Sequence, residues 1–209
     1  MSEPGRIAAI VPVAAIEGAK TRLGESLDAE ERQDLVEGLV ARTLAAVESV
    51  ARIEDVLVVS PDHTVLGWAA DVGARTLRQR TVGLNAGVRD ARDDVVAGGA
   101  EAVVIVPIDL PFITTTALDD LIGALYEDPG PTVVLAPDRH GAGTNALALR
   151  PPDVIDIAFG PDSRAAHRAA ATAVGAEYRE IDGPLSVDLD TPEDLVLVDT
   201  IRAEGSHVG

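Results

Sequence analysis

Ala102-Val103-Val104-Ile105-Val106-Pro107-Ile108-Asp109-Leu110-Pro111 sets five aliphatic residues in a row, then a proline, then an acid. An unbroken apolar run of this length is how a strand buried on both faces reads, because each of its alternating sides meets a helix layer. Asp109 then stands just beyond the carboxyl end of a central strand, where open α/β sheets hold their ligands. The alternative for Asp109 is a helix or turn cap.

Working outward, residues 7–13, 56–60 and 74–77 are similar short aliphatic runs separated by amphipathic stretches. The alternation predicts an α/β fold with a mixed, mainly parallel sheet flanked by helices. The first helix is predicted over residues 29–49, with Asp28 and Glu31 as a capping box and Leu35, Leu39, Val40, Leu44 and Val47 as the apolar stripe. Further helices are expected near 64–72, 84–97, 117–126, 163–174 and 192–203. Past residue 130 the runs 132–136, 145–149, 177–181 and 185–187 follow one another with less helix between them, which predicts added antiparallel edge strands. The expectation is one domain over residues 1–209, frayed at 1–5 and 204–209.

Composition restricts the partners. Hydrophobic residues make up 46% of the chain but aromatic ones only 2%, so stacking platforms for single-stranded nucleic acid are scarce. The formal net charge of -18 opposes encounter with nucleic acid or an anionic membrane surface. A small anionic substrate therefore needs local cations or a metal to hold it. The absence of cysteine removes disulfides, thiolate nucleophiles and zinc-thiolate sites. No signal-peptide pattern and no apolar run near ~20 residues is present, so a cytoplasmic monomer or homodimer is expected.

Lys20 is the only lysine; arginine supplies every other cationic side chain. It lies with Arg22 in Gly18-Ala19-Lys20-Thr21-Arg22-Leu23, the loop after the first strand, where two cations can close over a polyphosphate. The bland alternative is a leftover surface lysine. Near the end, Val187-Asp188-Leu189-Asp190-Thr191-Pro192-Glu193-Asp194 puts Asp188 and Asp190 on one face of an extended segment, where they can bracket a hard divalent cation. Asp190 is equally a good N-cap before Pro192, and Asp194 reads as a first-turn helix acid. Three carboxylates without a nearby His or Cys suit Mg²⁺ or Mn²⁺ rather than zinc.

Between these acids, Gly141-Ala142-Gly143-Thr144-Asn145 is a glycine-containing loop whose amides can approach an anion, with Thr144 and Asn145 adding side-chain donors. Phe159-Gly160-Pro161-Asp162-Ser163 opens a helix whose N-terminal amides offer a phosphate site, though Ser163 could serve as its N-cap. His167, one turn along, reads as an orienting or surface residue rather than a catalytic one. Asn85, in Gly83-Leu84-Asn85, could read a base edge or cap a helix.

The ordered set of Ala19-Lys20-Thr21-Arg22-Leu23, Gly83-Leu84-Asn85, Ile108-Asp109-Leu110-Pro111, Gly143-Thr144-Asn145-Ala146-Leu147, Phe159-Gly160 with Ser163 and His167, and Asp188-Leu189-Asp190-Thr191-Pro192 resembles the phospholactate guanylyltransferase family (CofC, or FbiD) of deazaflavin coenzyme synthesis. The resemblance runs over residues 7–198. It implies a nucleotidyltransferase fold of the glycosyltransferase-A type, with transfer of GMP from GTP to a small phosphorylated three-carbon acid and release of pyrophosphate. It further implies metal binding by Asp109, Asp188 and Asp190, and substrate-phosphate binding around Thr144, Gly160 and Ser163. The chain departs from the family pattern at Ala142, where a hydroxyl residue is expected. An acceptor phosphate is already ionised, so such a reaction needs no general base, only positioning and charge neutralisation, with Lys20 and Arg22 on the triphosphate. The composition favours phosphoenolpyruvate over 2-phospho-L-lactate as acceptor. The rivals are a molybdopterin or sugar-phosphate nucleotidyltransferase of the same fold, and a noncatalytic nucleotide-binding regulatory module.

Overall fold

Six consecutive buried residues, Ile7–Pro12, form strand β1, and a strand with no exposed face needs a neighbour on each edge and a helix layer on each side. The computed structural model, which describes residues 5–16 and 28–189, supplies all four. Strands β2 (Ile53–Ser60) and β4 (Ala102–Ile105) flank β1 in parallel, with Ile10 opposite both Leu57 and Ile105. Strand β3 (Arg75–Arg78) adds to β2 in parallel. Helices α1 (Ala29–Glu48), α2 (His63–Asp71) and α4 (Thr115–Ala124) cover one face, meeting Ile7, Ala9 and Val11. On the other face α3 (Leu84–Ala97) and α5 (Ser163–Val174) meet Ala8 and Ile10. Complete burial of one such Ile contributes roughly 1.5–3 kcal/mol.

Local signals start the helices where the sequence says they should. Asp28 accepts hydrogen bonds from the amides of Glu30 and Glu31, and Glu31 reaches back to the Asp28 amide at 2.9 Å, a complete capping box for α1. Thr114 caps α4 through the Ala117 amide at 3.2 Å.

The second half departs from the expected edge strands. Strand β5 (Thr132–Pro137) and β6 (Thr144–Arg150) are joined by residues 138–143, too short for the crossover of a dozen or more residues that a parallel return demands. β6 therefore runs back antiparallel, and it does so inside the sheet: the order is β3-β2-β1-β4-β6-β5-β7, with β7 (Glu177–Glu180) parallel to β5 at the edge. Among the described residues β6 alone opposes the common direction. Its residues Ala146, Leu147, Ala148 and Leu149 are all fully buried, which requires a strand on each side. The strand expected at 185–187 is instead a 3-10 turn, Pro184–Ser186, because Pro184 has no N–H to give a ladder and Gly183 turns the chain with φ 132°. The expected helix at 192–203 lies outside the described residues.

This connectivity positions the site. From β1 the chain moves to β2 and β3, and α3 then carries it back to β4 on the other side of β1. The winding therefore reverses between β1 and β4, and open α/β sheets hold their ligands at the carboxyl ends of the strands at such a point. Among the described residues no helix is long and apolar enough to cross a membrane.

Candidate active site

The two acidic segments meet. The Leu189 amide donates to the Asp109 carbonyl oxygen at 2.9 Å, so residues eighty positions apart in sequence lie on adjacent backbones just past β4. Leu189 is buried, which turns its extended neighbour Asp188 to the opposite side. Asp188 Oδ1 is shielded from solvent and Asp109 is half-buried. Carboxylate oxygens without a sulfur or imidazole donor are the ligand type of a hard cation such as Mg²⁺. Among the described residues no group of three or more His, Cys, Asp or Glu gathers as a metal site, and Asp190, the third expected ligand, lies outside them with Lys20 and Arg22.

Asn145 belongs to the same corner. Buried at the start of β6, it donates from Nδ2 to the Leu185 carbonyl at 3.0 Å and so ties the turn that leads to Asp188. Because β6 opposes β4, with Ile105 opposite Leu147, its first residues lie past the end of β4 on the side where Asp109 follows. Thr144 is delivered there by strand direction alone.

A second group forms around Thr144. Its Oγ1 lies 3.1 Å from His167 Nδ1, and the other ring nitrogen, Nε2, accepts the Ala158 amide at 3.1 Å. His167 is fully buried, not the surface residue that was one of its two sequence readings, and burial pushes its pKa down to about 4. The Phe159 ring meets the imidazole edge-on, with centroids 5.6 Å apart. Asn85 holds this loop: Nδ2 donates to the Phe159 carbonyl at 2.9 Å while Oδ1 accepts the Phe159 amide at 2.8 Å. It does not cap α3, whose N-cap is Gly83, and its amide is engaged with Phe159 rather than presented bare to a base.

Ser163 is the first residue of α5 and not its N-cap; that place falls to Asp162, in the left-handed region at φ 57° with no side-chain cap bond. The Ser163 hydroxyl is buried and has no hydrogen-bond partner among the described residues. The expected phosphate site on the helix amides is narrowed, since the Ser163 amide donates to Gly160 at 3.2 Å and the Arg164 amide to Ala142 at 3.1 Å. The Ser163 hydroxyl is left for an anion here. Gly160 adopts φ 127°, which only glycine takes without strain, and so lets the loop pass into the Asp162 turn. Arg164 is committed as well: it forks onto Glu180 at 3.0 and 2.7 Å and reaches the Gly141 carbonyl at 2.9 Å. This guanidinium holds the Glu180 carboxyl below its usual range.

On the other side of β1, a cleft of about 170 Å³ is lined by Pro12, Val13, Ala14, Pro61, Gln79 and Leu84. Sequence reasoning missed Asp62, which stands beside it. One carboxylate oxygen caps α2 through the Thr64 amide at 2.8 Å, and the other accepts the Ile16 amide at 3.1 Å, anchoring the start of the Lys20 loop. Burial works against this charge, but the amides of Ile16, Thr64 and Val65 outweigh it and hold Asp62 below the carboxylate range. The cap was legible two residues ahead of Thr64; the contact to Ile16 had no local signal.

Residues 7–207 match the family described as guanylyl transferase CofC like. The chain is 46% identical over 189 residues to the phosphoenolpyruvate guanylyltransferase of Sphaerobacter thermophilus, covering 90% of this chain and 89% of that protein. It is 33% identical over 200 residues to the 2-phospho-L-lactate guanylyltransferase of Methanocaldococcus vulcanius, covering 95% and 86%. In fold it is similar to the 4-diphosphocytidyl-2C-methyl-D-erythritol synthase of Anaerococcus prevotii, with a TM-score of 0.67 at 10% identity over 96% of this chain and 97% of that one.

Proposed function

The chain belongs to the guanylyl transferase CofC-like family, and from that premise we propose that it moves GMP from GTP to a phosphorylated three-carbon acid, phosphoenolpyruvate in preference to 2-phospho-L-lactate. The observation that carries this reading is the Leu189–Asp109 backbone bond, which joins the two acidic segments at the carboxyl ends of the parallel strands. The sheet order then gives the reaction a direction. The cleft beside β1 and β2 takes the guanine, the acids after β4 face the phosphates, and the Thr144–Ser163 group beside β6 takes the acceptor.

A phosphate oxygen of the acceptor attacks the α-phosphorus of GTP, and the bond from that phosphorus to the oxygen bridging to the β-phosphate breaks. Pyrophosphate leaves with the electron pair. The nucleophile is already an anion, so no side chain need remove a proton. Thr144 and Ser163 hold the acceptor by donating hydroxyl protons to its oxyanions. Asn85 and Asn145 act through the backbone, the first fixing the Phe159–Gly160 loop and the second the turn before Asp188. Asp109, Asp188 and Asp190 would hold Mg²⁺ or Mn²⁺, whose chemistry is to neutralise the phosphate charge that otherwise repels both substrates and this acidic chain. Lys20 and Arg22 take the triphosphate and the departing pyrophosphate.

The test incubates purified protein with GTP, Mg²⁺ and phosphoenolpyruvate, 2-phospho-L-lactate or 3-phosphoglycerate in turn, reading pyrophosphate release and product mass. Release is expected only when nucleotide, metal and acid are all present. Equal turnover without the acid, or with a hexose phosphate, removes the reading.

A further inference from the structure

We infer that His167 is a positioning residue that forces the Thr144 hydroxyl to act as a donor toward an oxyanion of the acceptor acid. The inference rests on the guanylyl-transfer reading for the identity of that acid. Its own basis is a chain of hydrogen bonds whose direction can be worked out. The Ala158 amide can only donate, and it points at Nε2 from 3.1 Å, so Nε2 carries a lone pair and no proton. The fully buried imidazole is neutral and keeps one N–H, which must be on Nδ1. Nδ1–H therefore donates across 3.1 Å to Thr144 Oγ1.

Thr144 cannot return its own proton along that line. Among the described residues its hydroxyl makes no other hydrogen bond, so its O–H is left to point at whatever enters beside β6. A hydroxyl locked in this sense favours an acceptor-only ligand such as an ionised phosphate or carboxylate. It disfavours a cation or a donor group. The half-buried position of Thr144 leaves the proton within reach of a ligand, and Ser163, one turn before His167 on α5, carries a buried hydroxyl with no partner among the described residues. The ring is itself fixed from two directions, by the Ala158 amide and by the Phe159 edge that Asn85 clamps in place. His167 thus couples the loop before α5 to the first residue of β6 without touching substrate.

Three measurements test this. In long-range proton–nitrogen NMR spectra of the wild-type protein at neutral pH, His167 should show a protonated Nδ1 and a bare Nε2; a protonated Nε2 overturns the inference. Inorganic phosphate added without GTP should shift the His167 Nδ1–H resonance in wild type and leave it unmoved in Thr144→Val, an outcome that does not depend on turnover. An equal shift in both proteins would overturn the inference whatever the enzyme's reaction proves to be. Kinetically, His167→Leu should raise KM for phosphoenolpyruvate about 10-fold or more with KM for GTP within about twofold. His167→Asn, which keeps an N–H donor near the Nδ1 position, should recover most of that loss, and in a Thr144→Val background neither change should raise KM further. Equal KM increases for both substrates, or an Asn variant as poor as Leu, would mark His167 as core packing only. Should His167→Leu fail to fold, the Asn variant and the spectra decide the matter.

Discussion

Lowering the pH from 7 to about 4.5 should weaken the fold by about 2 kcal/mol through His167 alone. The folded state holds this buried ring at a pKa of about 4 against an ordinary value of 6.5, because burial strips water from the charged form. Protonation would also set a new Nε2–H against the Ala158 amide, donor against donor. The sign follows from which state takes the proton. Below pH 6.5 the unfolded chain binds one that the folded chain refuses, so the stability is complete above that value and is lost as pH falls toward 4. The full window is about 2.5 pH units at roughly 1.4 kcal/mol each, or about 3 kcal/mol, of which roughly two-thirds is gone by pH 4.5. Carboxylates held low in the folded state, Asp156 by Arg89 and Glu180 by Arg164, act in the same direction as pH falls below their ordinary values of 3.8 and 4.5. Urea unfolding followed by the single tryptophan, Trp68, in wild type and His167→Asn separates the two contributions. The variant should be weaker at pH 7 yet lose about 2 kcal/mol less on going to pH 4.5, equivalent to a Tm difference of roughly 4–8 °C. Parallel losses in the two proteins would show that His167 does not titrate in this window.

Asp109→Asn, Asp188→Asn and Asp190→Asn should each lower kcat/KM by about 10² or more while metal-free melting stays near wild type; an active but low-melting Asp190→Asn would assign that residue to helix capping instead. Lys20→Met should lose most activity and Lys20→Arg regain only part of it, since a planar fork does not replace a point charge at a crowded phosphate; unchanged kinetics in Lys20→Met would reduce the lone lysine to an accident of composition. Asn85→Ala removes both bonds to the Phe159 backbone and should cost about 1–3 kcal/mol in chemical denaturation together with a raised KM for the acid. A change confined to KM for GTP would instead support base reading by Asn85. With phosphoenolpyruvate and 2-phospho-L-lactate in equal amounts, discrimination should amount to about 1–3 kcal/mol, read as a ratio of product masses, because the two acids differ only by one carbon–carbon double bond that flattens the phosphate-bearing carbon. A dominant lactyl product would reverse the order of substrates and leave the transfer chemistry in place.

The local chemistry of this chain was legible without coordinates. The Val103–Ile105 run had to be a doubly buried strand, the Asp28 and Glu31 pair had to open a helix, and an acid after Pro107 had to stand at a strand's carboxyl end, since each depends on residues within a few positions of one another. The same is true of the six-residue span between β5 and β6, whose brevity dictates an antiparallel return. Where that strand goes is another matter. Periodicity tells which face of an element is apolar but not which element lies beside it, so β6 was expected at the edge and is found between β4 and β5. The polar side chains of the site follow the same division. Asn85, Asn145 and His167 each carry donors and acceptors that sequence can count, yet their partners, Phe159, Leu185 and Thr144, lie 74, 40 and 23 positions away. A buried polar group must be paired, but only the packing of the sheet against α3 and α5 chooses with whom. The chain's residue types set acids and hydroxyls near the carboxyl ends of its strands, and tertiary structure alone decided which partners they meet, as Thr144 meets His167.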